Sequence, residues 1–171
     1  AFFFGFRKSE TIGAPGAEWS RKRVLMGADI GARCRGVSVP HFKDGDEIVV
    51  HIKGSKTDQL NAGALRNLYV SGHDRLCVVK VMAECEQRWP ERFTTEQHLP
   101  LFRHDNGTMV KREEVVAMIR MAALALGVDP ERLDQHSLRR GAATALYHNE
   151  VDFARIQRFL RWKTDVAHDY M

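Results

Sequence analysis

The hydrophobic pattern of the chain changes period once, and this change limits the folds that the chain can adopt. In the first half, the segment Glu47 to Ile52 has Ile48, Val50 and Ile52 at every second position and so on one face, as a half-buried strand requires. From Leu76 onward, apolar residues instead recur every three or four positions, which is typical of amphipathic helices. A strand-forming half followed by a helix-forming half predicts an α+β domain, mainly helical with a small antiparallel sheet.

Turn and stop residues give approximate bounds for these elements. The turn signal Asp44-Gly45 precedes the strand Glu47 to Ile52, and Leu65 to Val70 is expected to return as its partner. Shorter strands are expected at Val24 to Met26 and Val37 to Val39. The predicted helices are an opening one that ends around residues 11–16, then Leu76 to Trp89, Glu113 to Leu126, His136 to Tyr147, Asp152 to Arg161 and Thr164 to Met171.

Length and composition exclude several classes of protein. A chain of 171 residues is the size of one domain, and we expect a single domain over residues 1–171. With 44% hydrophobic and 28% charged residues, the chain is neither disordered nor fibrous, and its apolar runs are too short to cross a bilayer. Its three cysteines lack CxxC spacing, which argues against a disulfide framework or a zinc site and favours an intracellular location. The net charge of +4 is compatible with a nucleic-acid partner.

An imidazole and a guanidinium stand one helical turn apart near the C-terminal end. His136 and Arg139 share one face at the start of a predicted helix. Arg139 borders the apolar positions Leu138 and Ala142, where an unpaired charge is costly. We therefore expect either a structural arginine bound to a carboxylate or to helix-end carbonyls, or a functional one bound to an anion; the motif alone favours the structural role.

Two other basic motifs allow the same choice between a structural and a functional role. Arg7 and Glu10 form either an i,i+3 ion pair or a guanidinium that Glu10 orients toward a phosphate. Lys53 and Lys56 lie near a hairpin turn, where lysines are usually solvated, although a lysine on a rigid hairpin can donate a proton to a departing oxygen. We prefer Lys56 for that role because it lies in the turn, whereas Lys53 continues the strand.

The order of these motifs along the chain is more informative than any one of them. An arginine box (Gly5-Phe-Arg7-Lys-Ser-Glu10), a hairpin lysine, the box His136-Ser-Leu-Arg139, Trp162 and Tyr170 follow one another. This series resembles the catalytic domain of the tyrosine recombinases and phage-type integrases, over essentially the whole chain. Further likeness to recombinases of eukaryotic mobile elements comes from Ser55-Lys-Thr-Asp-Gln59 and Arg161-Trp-Lys163. One departure is Arg161, which stands where the family usually has glycine, so the local turn is expected to differ.

The resemblance implies that the chain cleaves and rejoins DNA without a metal or other cofactor. Tyr170 would attack a backbone phosphorus and form a 3′-phosphotyrosyl bond, which keeps the energy of the phosphodiester. Arg7 and Arg139 would bind the non-bridging oxygens, and His136 would accept the proton of the tyrosine. Trp162 would donate its indole N–H to a phosphate oxygen, and a hairpin lysine would protonate the leaving oxygen. The implied catalytic residues are Arg7, Lys56, His136, Arg139, Trp162 and Tyr170.

The same resemblance implies double-stranded DNA as the partner, self-association into a tetramer on that DNA, and no membrane association. An intracellular, DNA-associated location is expected, in the nucleus if the source is eukaryotic. We also expect the N-terminal core-binding domain and the C-terminal tail of the family to be missing from this chain. Two alternatives remain open: relaxation of supercoils, as by a type IB topoisomerase, and a mobile-element remnant that binds DNA without cutting it. Whether Tyr170 acts in its own site or in a neighbour's also remains open.

Overall fold

The computed structural model of the protein describes residues 3, 6, 24–53, 63–74 and 76–162. Contacts between residues group the chain into two compact units. The sheet unit is Gly16–Met109, and the helical unit joins Ala1–Pro15 to Val110–Met171. A single domain over residues 1–171 stays a prediction. The opening helix and the last helix predicted from the sequence lie mostly or wholly outside the described residues.

An antiparallel sheet organises the sheet unit. In the part of the chain that is described, its strands are β1 (Ile30–Cys34), β2 (Val37–Val39), β3 (Glu47–Ile52) and β4 (Ala64–Tyr69). Their order in the sheet is β2-β1-β3-β4, and β3 pairs with a neighbour on each side. Ile48 of β3 lies opposite Ala32 and Leu68, and it is fully buried together with Val50. The spacing of Ile48, Val50 and Ile52 at every second position therefore identified the buried face of the central strand.

The segment before β1 differs from the expectation. Val24 to Met26 does not form a strand; only Met26 pairs, in an isolated bridge with Pro100, and a short 3-10 helix follows at Gly27–Asp29. The sequence of β1, Ile-Gly-Ala-Arg-Cys, does not alternate apolar and polar residues, so its pattern does not predict a strand. Its conformation is fixed by hydrogen bonding to strands on both sides, which a local pattern does not contain.

One α-helix, α1 (Val78–Arg88), completes the sheet unit among its described residues and packs on β3 and β4. It buries Val78, Val79 and Met82, which share one face of the helix. A second short 3-10 helix, Phe42–Asp44, also packs on α1. The predicted helix from Leu76 to Trp89 is confirmed, with slightly narrower bounds.

Three α-helices form the described part of the helical unit: α2 (Arg112–Ala125), α3 (Gln135–His148) and α4 (Phe153–Leu160). α3 and α4 pack through Ala143, Ile156 and Leu160, whose side chains are fully buried. Each of these helices lies within two residues of its predicted bounds. The described residues therefore combine helices with a small antiparallel sheet, as the α+β prediction requires.

Candidate active site

Arg139 lies on the buried face of α3 and is only 2% exposed. Its Nη2 donates a hydrogen bond to the carbonyl oxygen of Leu160, the last residue of α4. The final carbonyls of a helix have no partner within the helix and carry a partial negative charge. The buried cation and the end of α4 therefore stabilise each other. A helix-end carbonyl is one of the two structural partners that the sequence allowed for Arg139, the other being a carboxylate.

Trp162 forms the second contact of the Arg139 guanidinium. The Arg139 Cζ atom lies 5.9 Å from the centre of the Trp162 ring, within the range of a cation–π interaction. The indole packs against the buried cluster Ala143, Ile156 and Leu160. Its backbone N–H donates to the carbonyl of Gln157 at 3.0 Å, which fixes the chain just beyond the helix. Two residues at the end of α4 thus hold one guanidinium of α3.

Arg161, between these two contacts, adopts a left-handed conformation with φ 55° and ψ 42°. Helices commonly end on such a residue, which is usually glycine because a side chain in this conformation costs about 1–2 kcal/mol. The backbone N–H of Arg161 donates to the carbonyl of Arg158 at 3.2 Å, as in a regular helix end. The turn therefore keeps a glycine-like geometry although arginine occupies the position, and Leu160 and Trp162 both reach Arg139.

His136 is exposed in the first turn of α3, one turn before Arg139. Asp134 caps this helix: its carboxylate accepts the N–H groups of His136 at 2.7 Å and of Ser137 at 3.1 Å. In return, the N–H of Asp134 donates to the Ser137 hydroxyl at 3.0 Å. This reciprocal cap fixes where the helix begins, and hence the position of His136 on its first turn. That Asp134 caps this helix was not predicted from the sequence, although an aspartate directly before a helical pattern is a recognisable signal for a helix start.

Lys53 has a partner that the sequence did not indicate. β3 ends at Ile52, so Lys53 lies one residue beyond the strand rather than within it. Its Nζ atom lies 2.8 Å from Oδ2 of Asp29, and the two side chains are 22% and 9% exposed. Asp29 is far from Lys53 in the sequence and is brought to it because β1, which follows Asp29, pairs with β3. No local pattern could have identified this pair.

Three of the residues predicted to act in catalysis, Arg7, Lys56 and Tyr170, lie outside the described residues. The structure brings Arg139 and Trp162 together and carries His136 one turn away on the same helix as Arg139. The described residues include no group of three His, Cys, Asp or Glu side chains arranged to hold a metal ion. They also include no helix that is long and apolar enough to span a membrane.

A comparison with protein families agrees with the family resemblance that these residues carry. The phage integrase family matches residues 35–168, well over half of the chain. The chain belongs to the phage integrase family. Members of the phage integrase family cleave and rejoin DNA, and membership implies that the chain binds DNA. The match includes the arginine, histidine and tryptophan described above and Lys56, whereas Arg7 and Tyr170 lie outside the matched range. A search of curated proteins found no significant match.

Proposed function

We propose that the protein is a DNA recombinase that breaks and rejoins strands through a 3′-phosphotyrosyl intermediate. The observation that carries this proposal is the buried Arg139 guanidinium, held by the Leu160 carbonyl and the Trp162 ring inside the region that matches the phage integrase family. A guanidinium held in this way is a preorganised donor for phosphate oxygens, which arginine binds in a bidentate manner. Such a donor lowers the barrier most when charge develops on the atoms that it contacts.

The proposed reaction conserves the number of phosphate ester bonds. The Tyr170 oxygen forms a bond to the phosphorus while the bond from phosphorus to the 5′-oxygen breaks. His136 accepts the tyrosine proton, because an unperturbed tyrosine with a pKa near 10 is hardly ionised at neutral pH. Rejoining reverses these steps with the 5′-hydroxyl of a second strand as the nucleophile. The covalent intermediate retains the energy of the original bond, so the reaction needs no ATP.

Arg7 and Arg139 bind the non-bridging oxygens of the reacting phosphate in this proposal. Each such donor contributes about 10²- to 10³-fold to the rate. The indole N–H of Trp162 adds a third donor, since a tryptophan side chain can donate but not accept. The three donors together neutralise the charge that builds on the phosphate as the tyrosine attacks. No metal ion is assigned to this reaction, because the guanidinium groups supply the positive charge.

We assign the protonation of the leaving 5′-oxygen to Lys56. The ion pair between Lys53 and Asp29 supports this choice, because it commits the Lys53 ammonium to a structural contact 2.8 Å away. A positioned general acid contributes about 10²- to 10⁴-fold to the rate. Lys56 follows Lys53 in the connection between β3 and β4, which is a hairpin because these strands are adjacent and antiparallel.

The proposed substrate is double-stranded DNA, on which the protein assembles as a tetramer to exchange strands between two duplexes. An origin in a eukaryotic mobile element, with a nuclear location, is the finer part of this proposal. It is supported by the resemblance of Ser55-Lys-Thr-Asp-Gln59 and Arg161-Trp-Lys163 to recombinases of such elements.

A selection for covalent DNA adducts tests the proposed function. The substrate is a pool of random-sequence duplexes whose nicks together lie close to every possible cleavage site. Cleavage near a nick releases the short strand between the nick and the cleavage site, which traps the adduct. We expect an adduct that survives denaturing electrophoresis with the wild type and with Tyr147→Phe, a matched control on the exposed surface of α3. Tyr170→Phe should form none. No adduct with any duplex, or an adduct that persists in Tyr170→Phe, would overturn the proposal.

The sequenced adducts then supply a substrate for distinguishing recombination from relaxation. Joining of strands from two different duplexes supports a recombinase. Relaxation of a supercoiled plasmid that contains the site, without joining between duplexes, would instead favour the activity of a type IB topoisomerase.

A further inference from the structure

The turn that carries Asp29 is fixed closely to the rest of the sheet unit. Asp29 ends the 3-10 helix Gly27–Asp29, and its Oδ2 accepts the N–H of Met26 at 2.8 Å. A Cβ atom on Gly27 would lie 1.7 Å from the carbonyl oxygen of Arg92, so this turn packs directly against another backbone segment. The N–H of Ala28 donates to Gln97 at 2.9 Å. The packing of the turn and the Met26 N–H therefore hold the Asp29 carboxylate in place independently of Lys53.

Lys53 joins this rigid turn to the start of the hairpin connection. The carboxylate of Asp29 is 9% exposed, and the distance of 2.8 Å to the Lys53 ammonium makes a direct, charge-assisted hydrogen bond. A pair with this little exposure is screened less by solvent than a surface ion pair. The hairpin connection leaves β3 at Ile52, so the pair fixes the first residue of the connection.

Gly63 fixes the other end of the same connection. It has φ +68°, and a Cβ atom there would lie 2.6 Å from the carbonyl oxygen of Ile52 and 2.9 Å from that of Lys53. Ile52 and Ala64 are opposite one another in the pairing of β3 with β4. Gly63 therefore closes the base of the hairpin, and another residue at this position would be strained. The other side of the base is anchored by the ion pair of Lys53 with Asp29.

We propose that Asp29 is a positioning residue for DNA cleavage, acting through its ion pair with Lys53 on the step in which the leaving 5′-oxygen is protonated. The pair holds the base of the hairpin whose connection contains Lys56, the proton donor of the proposed function, on which this inference rests. Displacement of a catalytic group by about 1 Å can cost up to about 10²-fold in rate. Asp29 itself contacts neither DNA nor the reacting atoms in this scheme.

A change in the leaving atom separates positioning of the acid from general damage. In the ordinary substrate, the bond from phosphorus to the 5′-oxygen breaks and the oxygen takes a proton from Lys56. When sulfur replaces this bridging oxygen, the leaving group departs as a thiolate and needs no proton, because thiols ionise far more readily than alcohols. A defect confined to proton donation should therefore disappear with the sulfur substrate.

The experiment uses the duplex selected through its covalent adduct, made with oxygen or with sulfur at the bridging position. We expect Asp29→Asn, which keeps an oxygen to accept the Met26 N–H, to slow cleavage of the oxygen substrate by about 10- to 100-fold. On the sulfur substrate, it should cleave within about threefold of the wild-type rate. Lys53→Met should behave in the same way, and Lys56→Ala provides the benchmark for full loss of the acid.

Asp46→Asn is the matched control. The Asp46 carboxylate also accepts a backbone N–H in the sheet unit, that of Arg35 at 3.0 Å, whereas the ion pair of Lys53 is with Asp29. We expect Asp46→Asn to lower the melting temperature without a difference between the oxygen and sulfur substrates.

Each other outcome overturns the inference in a recognisable way. If Asp29→Asn cleaves the oxygen substrate at the wild-type rate, the pair does not position the acid. If it loses the same factor on both substrates, its role is structural. If sulfur rescues Lys53→Met but not Lys56→Ala, Lys53 is itself the proton donor. Absence of any wild-type adduct overturns the proposed function, and with it this inference.

Discussion

The guanidinium of Arg139 lies 5.9 Å from the centre of the Trp162 ring while it donates a hydrogen bond to the carbonyl of Leu160. Both contacts come from the end of α4, and the left-handed turn at Arg161 connects them. The position of the guanidinium is therefore decided by how α4 ends and packs on α3. Burial of the cation, at 2% exposure, makes its orientation depend on these contacts rather than on solvent.

Substitution of Arg139 should separate cleavage from DNA binding. Arg139→Lys keeps the charge but loses the planar fork of donors, and we expect cleavage to fall by about 10²- to 10³-fold. Non-specific DNA binding should change little, because it rests on many phosphate contacts. Adduct formation and filter binding at the same salt concentration measure the two effects. Arg140→Ala, at the exposed neighbouring position, should cleave within a few-fold of the wild type; equal losses in both variants would contradict the assignment.

Trp162→Phe tests whether the indole N–H takes part in the reaction. Phenylalanine keeps an aromatic ring against the cluster of Ala143, Ile156 and Leu160 but has no donor. We expect cleavage to fall by roughly 10-fold, in line with the loss of one hydrogen bond to a charged group, with a small change in melting temperature. Phe159→Leu, in the same cluster, should lower stability and leave the cleavage rate of the folded protein unchanged. A normal rate in Trp162→Phe would restrict Trp162 to packing.

Gly27→Ala should be among the most destabilising small substitutions in the sheet unit. A Cβ atom at Gly27 would approach the carbonyl oxygen of Arg92 to 1.7 Å, and a backbone atom cannot move aside as a side chain can. We expect a loss of about 3 kcal/mol in the free energy of unfolding, measured by urea denaturation. Gly31→Ala is the matched control, because among the described residues, apart from Gly31 and its two chain neighbours, no atom lies within 4 Å of its Cβ position. Similar stability of the two variants would contradict the close packing of the Gly27–Asp29 turn.

Ionisation of the Cys85 thiol should lower the free energy of unfolding in strongly alkaline solution. Burial raises the pKa of the Cys85 thiol above its ordinary value of 9.0, the Glu84 carboxylate raises it further, and Arg92 opposes both. Because the folded state holds the proton more tightly than the unfolded state, this contribution to stability is complete below pH 9.0 and is lost as the pH rises through the folded-state pKa. Alkylation of the native protein, followed by peptide mass spectrometry, should show a midpoint above pH 9.0 for Cys85. A midpoint below this value would contradict the predicted direction.

The helices and the central strand could be predicted because their patterns are local. The apolar face of Ile48 and Val50 follows from the two-residue period of a strand, and both side chains are buried. The bounds of α3 and α4 follow from their apolar stripes and from the aspartates that cap them. By contrast, β1 lacks such a pattern and becomes a strand only because β2 and β3 hydrogen-bond to it.

The sequence by itself determined the α+β class, the approximate bounds of the α-helices among the described residues and, through the order of its arginine, histidine, tryptophan and tyrosine motifs, the family to which the chain belongs. Only the tertiary structure decided that Arg139 is held by the Leu160 carbonyl and that Lys53 pairs with Asp29. The physical reason is the range of the interactions. Periodicity and capping depend on residues within a few positions of one another. Partners distant in sequence meet only after strands pair and helices pack, so that a lysine beside a strand and an arginine on an apolar stripe carry no local sign of which group will bind them.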